Sequence, residues 1–132
     1  MPLLFEKESY EIRGACFAIW KKFGGAFKET IVDKSLTIEL KKRNLQVEDQ
    51  KRINVYYEGK RVGAYVPDKI INDKILVEVK SKEFITKQDE KQFWDYLKAS
   101  KYKLGFLINF GTNKLEIKRI VYDTARYMRK TK

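Results

Sequence analysis

The sequence predicts an α/β protein with three layers: a mixed five-stranded sheet, two N-terminal helices on one face and one crossover helix on the other. Three observations lead to this prediction. Helical spacing of apolar residues fills the first third of the chain, strand patterns follow, and a helical stretch then separates two apolar strands that should run parallel. The 132 residues predict a single domain over 1–132, with a core from about 9 to 121 and a basic tail from 122 to 132.

Two amphipathic helices are predicted on either side of Gly24-Gly25. The first runs from Ser9 to Phe23 with Ser9 as its N-cap, and the second runs from about Phe27 to Arg43. Glu29 lies in the first turn of the second helix, where the helix dipole favours a carboxylate whatever its role. The residues expected on the buried side of the second helix are Phe27, Ile31, Val32, Leu36 and Leu40.

Strand patterns occupy the middle of the chain. Gln46–Tyr57 and Lys60–Val66 form one predicted hairpin, and Ile70-Ile71 and Ile75–Val79 form a second around positions 72 and 73. Pro67 cannot donate to a ladder, so it ends the first hairpin or marks an edge. Both hairpins are expected to lie in the main sheet.

The second hairpin carries charged residues that could converge. Because alternate strand residues share a face, Glu78 and Lys80 should project to the same side. A strict two-residue turn places Asp68 opposite Val77, whereas a three-residue loop or one bulge places it opposite Glu78. A site with both carboxylates therefore requires the longer loop. An exposed Glu78–Lys80 ion pair, worth under about 1 kcal/mol, is the alternative, but the apolar run Ile75–Val79 indicates a buried strand, where a charge needs a partner or a metal.

The third helix is predicted from about Lys87 to Ser100, between two strands. Gln92 lies on the side of this helix that can face the sheet. The strand Leu104–Phe110 is almost entirely apolar, which is typical of a central strand covered on both faces, and Leu115–Val121 is the last strand. Residues 123–132 are expected to form a short frayed helix.

Composition narrows the chemistry. The formal net charge of +11 predicts attraction to polyanions, nucleic acid above all, although a lysine-rich composition explains the charge nearly as well. The absence of histidine excludes His-based triads, zinc fingers and histidine nucleases. The single cysteine, Cys16, is expected in the core and cannot form an internal disulfide. With no bilayer-spanning apolar run and no signal-peptide pattern, a cytoplasmic protein with no membrane partner is expected.

Taken in order, the motifs resemble the PD-(D/E)XK nuclease superfamily and, within it, the small stand-alone GxxExxY proteins. The matching segments are Ala26–Glu29, Tyr56–Lys60, Val62-Gly63, Asp68, Glu78–Lys80, Gln92, Tyr96–Ala99, Leu107–Gly111 and Leu115–Ile120. A bare Asp…Glu-x-Lys match is weak, but agreement in order and spacing from Tyr10 to Val121 is specific. The departures from the GxxExxY pattern are Ala26 for glycine, Val32 for tyrosine, Val66 for a common arginine and Asp89 for a frequent histidine.

This resemblance implies a restriction-endonuclease-like fold and a metal-dependent site for hydrolysing phosphodiesters. It implies that Mg²⁺ or Mn²⁺ is held by Asp68, Glu78 and the Val79 carbonyl, with Glu29 as an extra ligand or as the holder of a metal-bound water. Lys80 would orient or help to deprotonate the attacking water, and Gln92 would contact the metal's water shell or the phosphate backbone.

The partner predictions follow from the same resemblance. Four lysines near the site could meet phosphates or could simply form a solvated face: Lys82, Lys87, Lys91 and Lys98. Tyr56 and Tyr57 are expected to pack within their strand rather than to stack on bases. A nuclease acting on DNA is favoured over RNA as substrate, with a homodimer as one way to supply specificity. A nucleic-acid-binding or partner-binding module that keeps the fold without turnover is the alternative.

Overall fold

The computed structural model describes residues 4–122, and these contain three helices and seven strands. The elements in chain order are α1 (Glu6–Phe23), α2 (Glu29–Lys42), β1 (Val47–Asp49), β2 (Ile53–Tyr57), β3 (Lys60–Tyr65), β4 (Lys69–Ile71), β5 (Ile75–Lys80), α3 (Lys87–Ala99), β6 (Leu104–Phe110) and β7 (Leu115–Val121). The predicted tail helix lies outside the described residues.

Five strands form the central sheet, in the order β1-β4-β5-β6-β7. The β5–β6 pair is parallel, and the other neighbours are antiparallel. The parallel pair is connected by α3, as the apolar pattern on either side of that helix predicts. The prediction of a mixed five-stranded sheet with a crossover helix is therefore confirmed.

Strand alternation separates the core into two layers. Val77 and Val79 face the cluster that packs against α1 and α2, whereas Leu76 faces the cluster that packs against α3. All of β6 is buried, as expected of a central strand with helices on both sides. The three-layer prediction is confirmed, and Cys16 lies in the layer of the first two helices.

The first hairpin is not part of the central sheet, which corrects the prediction. β2 and β3 form a separate two-stranded sheet. The chain leaves the main ladder after Asp49, since Gln50 adopts a left-handed φ of 54° and Pro67 on the returning side has no N–H to extend the pairing. Tyr56 and Tyr57 are 60% and 67% exposed, so the prediction that they pack within the strand is wrong.

The helix boundaries also differ from the sequence expectation. α1 begins at Glu6 after a left-handed Phe5, so Ser9 is a buried residue inside the helix and not its N-cap. Phe27 precedes α2 and does not follow the periodicity of that helix, and Ile31 lies one position off the buried stripe; both are exposed. Within residues 4–122, no helix is long and apolar enough to cross a membrane.

Candidate metal-binding and catalytic site

The turn between β4 and β5 sets the register of the site. Asn72 and Asp73 both adopt positive φ, at 53° and 50°, and the Lys74 N–H donates to the Ile71 carbonyl at 3.0 Å. The ladder nevertheless pairs Ile71 with Ile75. Lys74 is therefore an extra residue beyond the tight turn, which is the longer loop that a site with both carboxylates requires.

That register places Asp68 opposite Glu78, one step beyond the Lys69–Val77 pair. The two carboxylates bind each other's strand: the Asp68 N–H donates to Glu78 Oε1 at 3.1 Å, and the Val79 N–H donates to Asp68 Oδ2 at 2.6 Å. Each carboxylate thus uses one oxygen to close the end of the hairpin, with its second oxygen outside these bonds.

Two further groups face Asp68. The N–H and C=O of one strand residue point to the same side, so the Val79 carbonyl faces Asp68 as its N–H does. The Gln50 side-chain amide lies 3.5 Å from Asp68 Oδ1, and the Gln50 N–H donates to the Asp68 carbonyl at 3.0 Å. Sequence reasoning did not find Gln50, because its left-handed turn carries no pattern that points toward a residue 18 positions away.

Glu29 reaches the site from the first residue of α2. The Ser81 hydroxyl donates to the Phe27 carbonyl, which ties the segment before α2 to the end of β5. The same segment presses on the end of β6, where a Cβ added to Gly25 would lie 1.9 Å from the Gly111 carbonyl oxygen. The backbone N–H of Ser81 lowers the pKa of the Glu29 carboxyl, so Glu29 lies close to the end of β5.

The carboxylates lie close enough to influence one another. Burial raises the pKa of Glu78 to about 7, and the charge of Asp68 adds to this rise, while the Asp68 N–H and Lys80 oppose it. Burial also raises the pKa of Asp68, against the bond from the Val79 N–H. The pKa of Glu29 is raised by burial and then by the charge of Asp68. Asp68, Glu78 and Glu29 thus form one electrostatic group with a shortage of positive charge.

Lys80 follows Glu78 by two residues and shares its face of β5. Its Nζ lies 4.0 Å from Asp89 Oδ1, and Lys82 Nζ lies 2.8 Å from Asp89 Oδ2. Asp89 is held by a capping box with Thr86 at the start of α3. Lys80 therefore lies between the carboxylate group and a fixed acid.

The loop after Lys80 is fixed by a buried amide. Asn109 on β6 accepts from the Lys82 N–H at 2.9 Å and donates to the Lys82 carbonyl at 3.0 Å. Glu116 on β7 accepts from Asn109 at 3.0 Å and from the Ile85 N–H at 2.9 Å. These side-chain bonds hold the loop to β6 and β7 in place of strand pairing. They also set the direction in which the chain leaves β5.

A buried cation holds α2 against β4 on the opposite face from Glu78. Lys69 is fully buried; its Nζ bonds the Asp33 carboxylate and lies 3.7 Å from Asp49 Oδ1. Thr37 donates to the same Asp49 oxygen at 2.7 Å. Sequence reasoning did not single out Lys69. The available signal was a lysine between Asp68 and two isoleucines in a buried strand, where a cation must have an acidic partner.

The remaining predicted residues lie on or near α3. Gln92 is exposed and donates to the Tyr96 hydroxyl at 3.2 Å. Tyr96 stacks on Tyr65, and burial and then the charge of Glu78 raise the pKa of Tyr65. The stacked pair of rings therefore lies between Gln92 and the carboxylates. Lys91 pairs with Asp95 at 2.7 Å. The predicted phosphate-contacting lysines are exposed: Lys82, Lys87, Lys91 and Lys98.

The donor set fits a hard divalent cation that keeps much of its water. Within residues 4–122, no three Asp, Glu, His or Cys side chains form a complete metal cage. Mg²⁺ does not require one, since it is commonly bound by one or two carboxylates and several waters. Asp68, Glu78 and the Val79 carbonyl supply oxygen ligands of that kind, and burial, followed by neighbouring carboxylate charge, raises the pKa of both acids.

Comparison with known families identifies the class of protein. The family model for the PD-(D/E)XK nuclease superfamily matches residues 6–120. This chain belongs to that superfamily, and its three helices and mixed five-stranded sheet are consistent with the restriction-endonuclease-like fold. Membership supports a nuclease-type hydrolase in general, and such nucleases generally use divalent metal ions.

Comparisons with curated proteins and with solved structures found no match. The narrower likeness to GxxExxY proteins therefore stays a prediction, as do the single-domain organisation and the roles of the individual site residues.

Proposed function

We propose that this protein is a metal-dependent nuclease that hydrolyses phosphodiester bonds, with DNA favoured over RNA as its substrate. The observation that supports this most is the register of the β4–β5 hairpin, which sets Asp68 opposite Glu78 while Lys80 shares the face of Glu78. A bound Mg²⁺ or Mn²⁺ would supply Lewis-acid stabilisation of the phosphate and a more acidic water.

In this proposal, the carboxylates of Asp68 and Glu78 and the carbonyl of Val79 would hold the cation. The second carboxylate oxygens of Asp68 and Glu78 are outside the bonds that close the hairpin, which leaves ligand positions available without breaking those bonds. Glu29 approaches from α2 and serves as a further ligand or holds a bound water.

Lys80 acts on the reacting groups. Its ammonium donates to the attacking water and to a non-bridging phosphate oxygen, where negative charge grows in the transition state. As the water oxygen bonds to phosphorus, its proton passes to solvent water and the ester P–O bond breaks, and the departing oxygen takes a proton from solvent. Gln92, whose side chain donates to the Tyr96 hydroxyl, contacts the phosphate backbone beside the scissile bond.

A binding module without turnover is the second candidate. It is favoured by one observation: Asp68 and Glu78 each accept a backbone N–H of the other strand, so they stabilise the hairpin even without a metal. Both candidates predict affinity for nucleic acid, but only the first predicts cleavage that depends on Lys80.

Nicking of supercoiled plasmid separates the two candidates. Wild type and Lys80→Ala are compared with Mn²⁺, with Mg²⁺ and with EDTA. The nuclease proposal expects metal-dependent nicking by wild type and a loss of at least 100-fold in Lys80→Ala, as for other removed transition-state donors.

Lys74→Ala is the matched control, because it removes one lysine at the opposite end of β5. It should nick like wild type. Equal nicking by wild type and Lys80→Ala, or none by either protein, would exclude the nuclease proposal and leave the binding module.

A further inference from the structure

The β2–β3 hairpin stands apart from the central sheet, and we call residues 53–65 the arm. Its base packs on the α3 side of the molecule, where Ile53 and Tyr65 contact the core cluster that packs against α3. Its tip is exposed on both faces: adjacent strand residues point to opposite sides, yet Tyr56 and Tyr57 are both more than half exposed. The tip therefore projects beyond the body of the protein.

Each face of the arm's tip carries one ring and one cation. Tyr56 pairs with Arg61 across the hairpin, and Tyr57 pairs with Lys60, so the two pairs lie on opposite faces. Glu58 in the turn is the single acid between residues 53 and 65. Neither these rings nor these cations belong to a buried cluster, so packing in the core does not explain them.

The base of the arm joins the candidate site. Tyr65 stacks on Tyr96 with ring centroids 4.4 Å apart, and its hydroxyl donates to the Tyr96 carbonyl at 2.7 Å. Burial raises the pKa of Tyr65 to about 12, and the charge of Glu78 adds to the rise, which places Tyr65 beside that carboxylate. Three residues beyond Tyr65 the chain reaches Asp68.

We propose that the arm binds a single-stranded segment of nucleic acid that continues from the phosphate at the candidate site. Lys60 and Arg61 contact phosphates, and Tyr56 and Tyr57 stack on unpaired bases. Nucleic acid carries both the phosphates that cations bind and the bases on which rings stack. The chain's net charge of +11 is opposite in sign to that of nucleic acid. This inference rests on the proposed function for its substrate, but the arm's binding can be measured without cleavage.

The length of the arm sets the scale of the contact. Seven residues separate Asp68 from Arg61, which at about 3.3 Å per residue gives a reach of at most about 23 Å. A strand that advances about 3.4 Å per nucleotide covers that distance in about seven nucleotides.

Val62 is an extra residue on β3, and the resulting bulge twists the exposed edge, which disfavours pairing with a strand of another protein.

The test measures binding with divalent metal withheld, so that no cleavage occurs. An arm variant that combines Tyr56→Ala, Tyr57→Ala, Lys60→Ala and Arg61→Ala is compared with wild type by fluorescence anisotropy on a labelled single strand of about 20 nucleotides and on the matching duplex. We expect affinity for the single strand to fall at least tenfold, with a smaller loss on the duplex, and the salt slope on the single strand to fall by about 1.4 for two lost phosphate contacts.

The matched control removes two rings and two cations elsewhere. Tyr10→Ala, Phe17→Ala, Lys41→Ala and Lys42→Ala change exposed residues of α1 and of the end of α2. An equal loss of affinity in the control and arm variants would overturn the inference, because net charge alone would then explain binding. Equal losses on single strand and duplex, or loss of a dimer by the arm variant in sedimentation, would overturn it as well. A circular-dichroism melt checks that each variant is folded.

Failure of this inference can be told apart from failure of the proposed function. If the arm variant binds the single strand like wild type while Lys80→Ala loses nicking, the arm assignment falls and the nuclease stands. If the arm variant loses binding while Lys80→Ala nicks like wild type, the nuclease proposal falls and the arm stands.

Discussion

The β4–β5 hairpin and the β2–β3 arm have similar local architecture but occupy opposite environments. Both are antiparallel pairs joined by a tight turn, and both contain one extra residue, Lys74 in the first and Val62 in the second. Every residue of β4 is buried, whereas much of β2 and β3 is exposed. The comparison shows that the environment, and not the local pattern, decides what a charge in a hairpin must do.

Charges in the buried hairpin each have an assigned partner. Asp68 and Glu78 bind backbone N–H groups, and Lys69 binds Asp33. In the arm, Lys60 is exposed and needs no partner for stability. In the first hairpin the extra residue sets carboxylate opposite carboxylate, whereas in the arm the two-residue turn at Glu58-Gly59 sets ring opposite cation and Val62 shifts only the pairs beyond them. Mutations at matched positions of the two hairpins test this contrast.

The largest difference is expected between two lysines. Lys69→Ala leaves the Asp33 carboxylate facing a buried space without its cation, so we expect a loss of about 3–5 kcal/mol in the free energy of unfolding. Lys60→Ala, in the exposed arm, should change it by less than about 0.5 kcal/mol. Urea denaturation followed by circular dichroism measures both, and similar losses in the two variants would contradict the contrast.

Two valines give the next largest difference. Val77 is fully buried in β5, so Val77→Ala removes two buried methyl groups and leaves a cavity, for an expected loss of about 2–3 kcal/mol. Val62 is 64% exposed, and Val62→Ala should cost less than about 0.5 kcal/mol. A shift of the urea midpoint in Val62→Ala as large as that in Val77→Ala would show that the arm packs on the body in solution.

The smallest expected effect concerns pH in the presence of EDTA. The folded pKa of Glu78, about 7, is above the ordinary 4.5, so this carboxyl contributes stability that is fully present below about pH 4.5 and is lost as pH rises through 7. We expect a loss of about 1–2 kcal/mol, less than the full linkage value because the group stays partly open to water.

Glu78→Gln should flatten this pH dependence, whereas Glu58→Gln in the turn of the arm should keep the wild-type slope. The measurement is urea denaturation at a series of pH values between 4 and 8. An unchanged slope in Glu78→Gln would mean that the carboxyl ionises as easily in the folded protein as in the unfolded chain.

The sequence predicted what depends on periodicity. Amphipathic spacing located the helices, and the apolar runs of β5 and β6 around α3 predicted the parallel pair. The register of Asp68 was left open, because Asn72-Asp73 is compatible with two loop lengths that differ by one residue. Periodicity also could not tell the exposed arm from a half-buried strand, since the residue pattern is the same for both.

The Lys69–Asp33 pair shows a second limit of sequence reasoning. Its members are 36 positions apart and belong to different elements, so no local rule connects them. Only the packing of α2 on β4 brings them together, and that packing also carries Glu29 toward the site. The carboxylate on β5, Glu78, was predictable, but the support that holds the carboxylate of α2 was not.

Gly25 has a consequence for how the site is assembled. Since no side chain fits between Gly25 and the Gly111 carbonyl, the segment that leads into α2 rests directly on the end of β6. This backbone contact adds to the side-chain packing of the first two helices on the sheet. Moving Glu29 would require a shift of that segment as well, so we expect the candidate ligands to be held in place before a substrate binds.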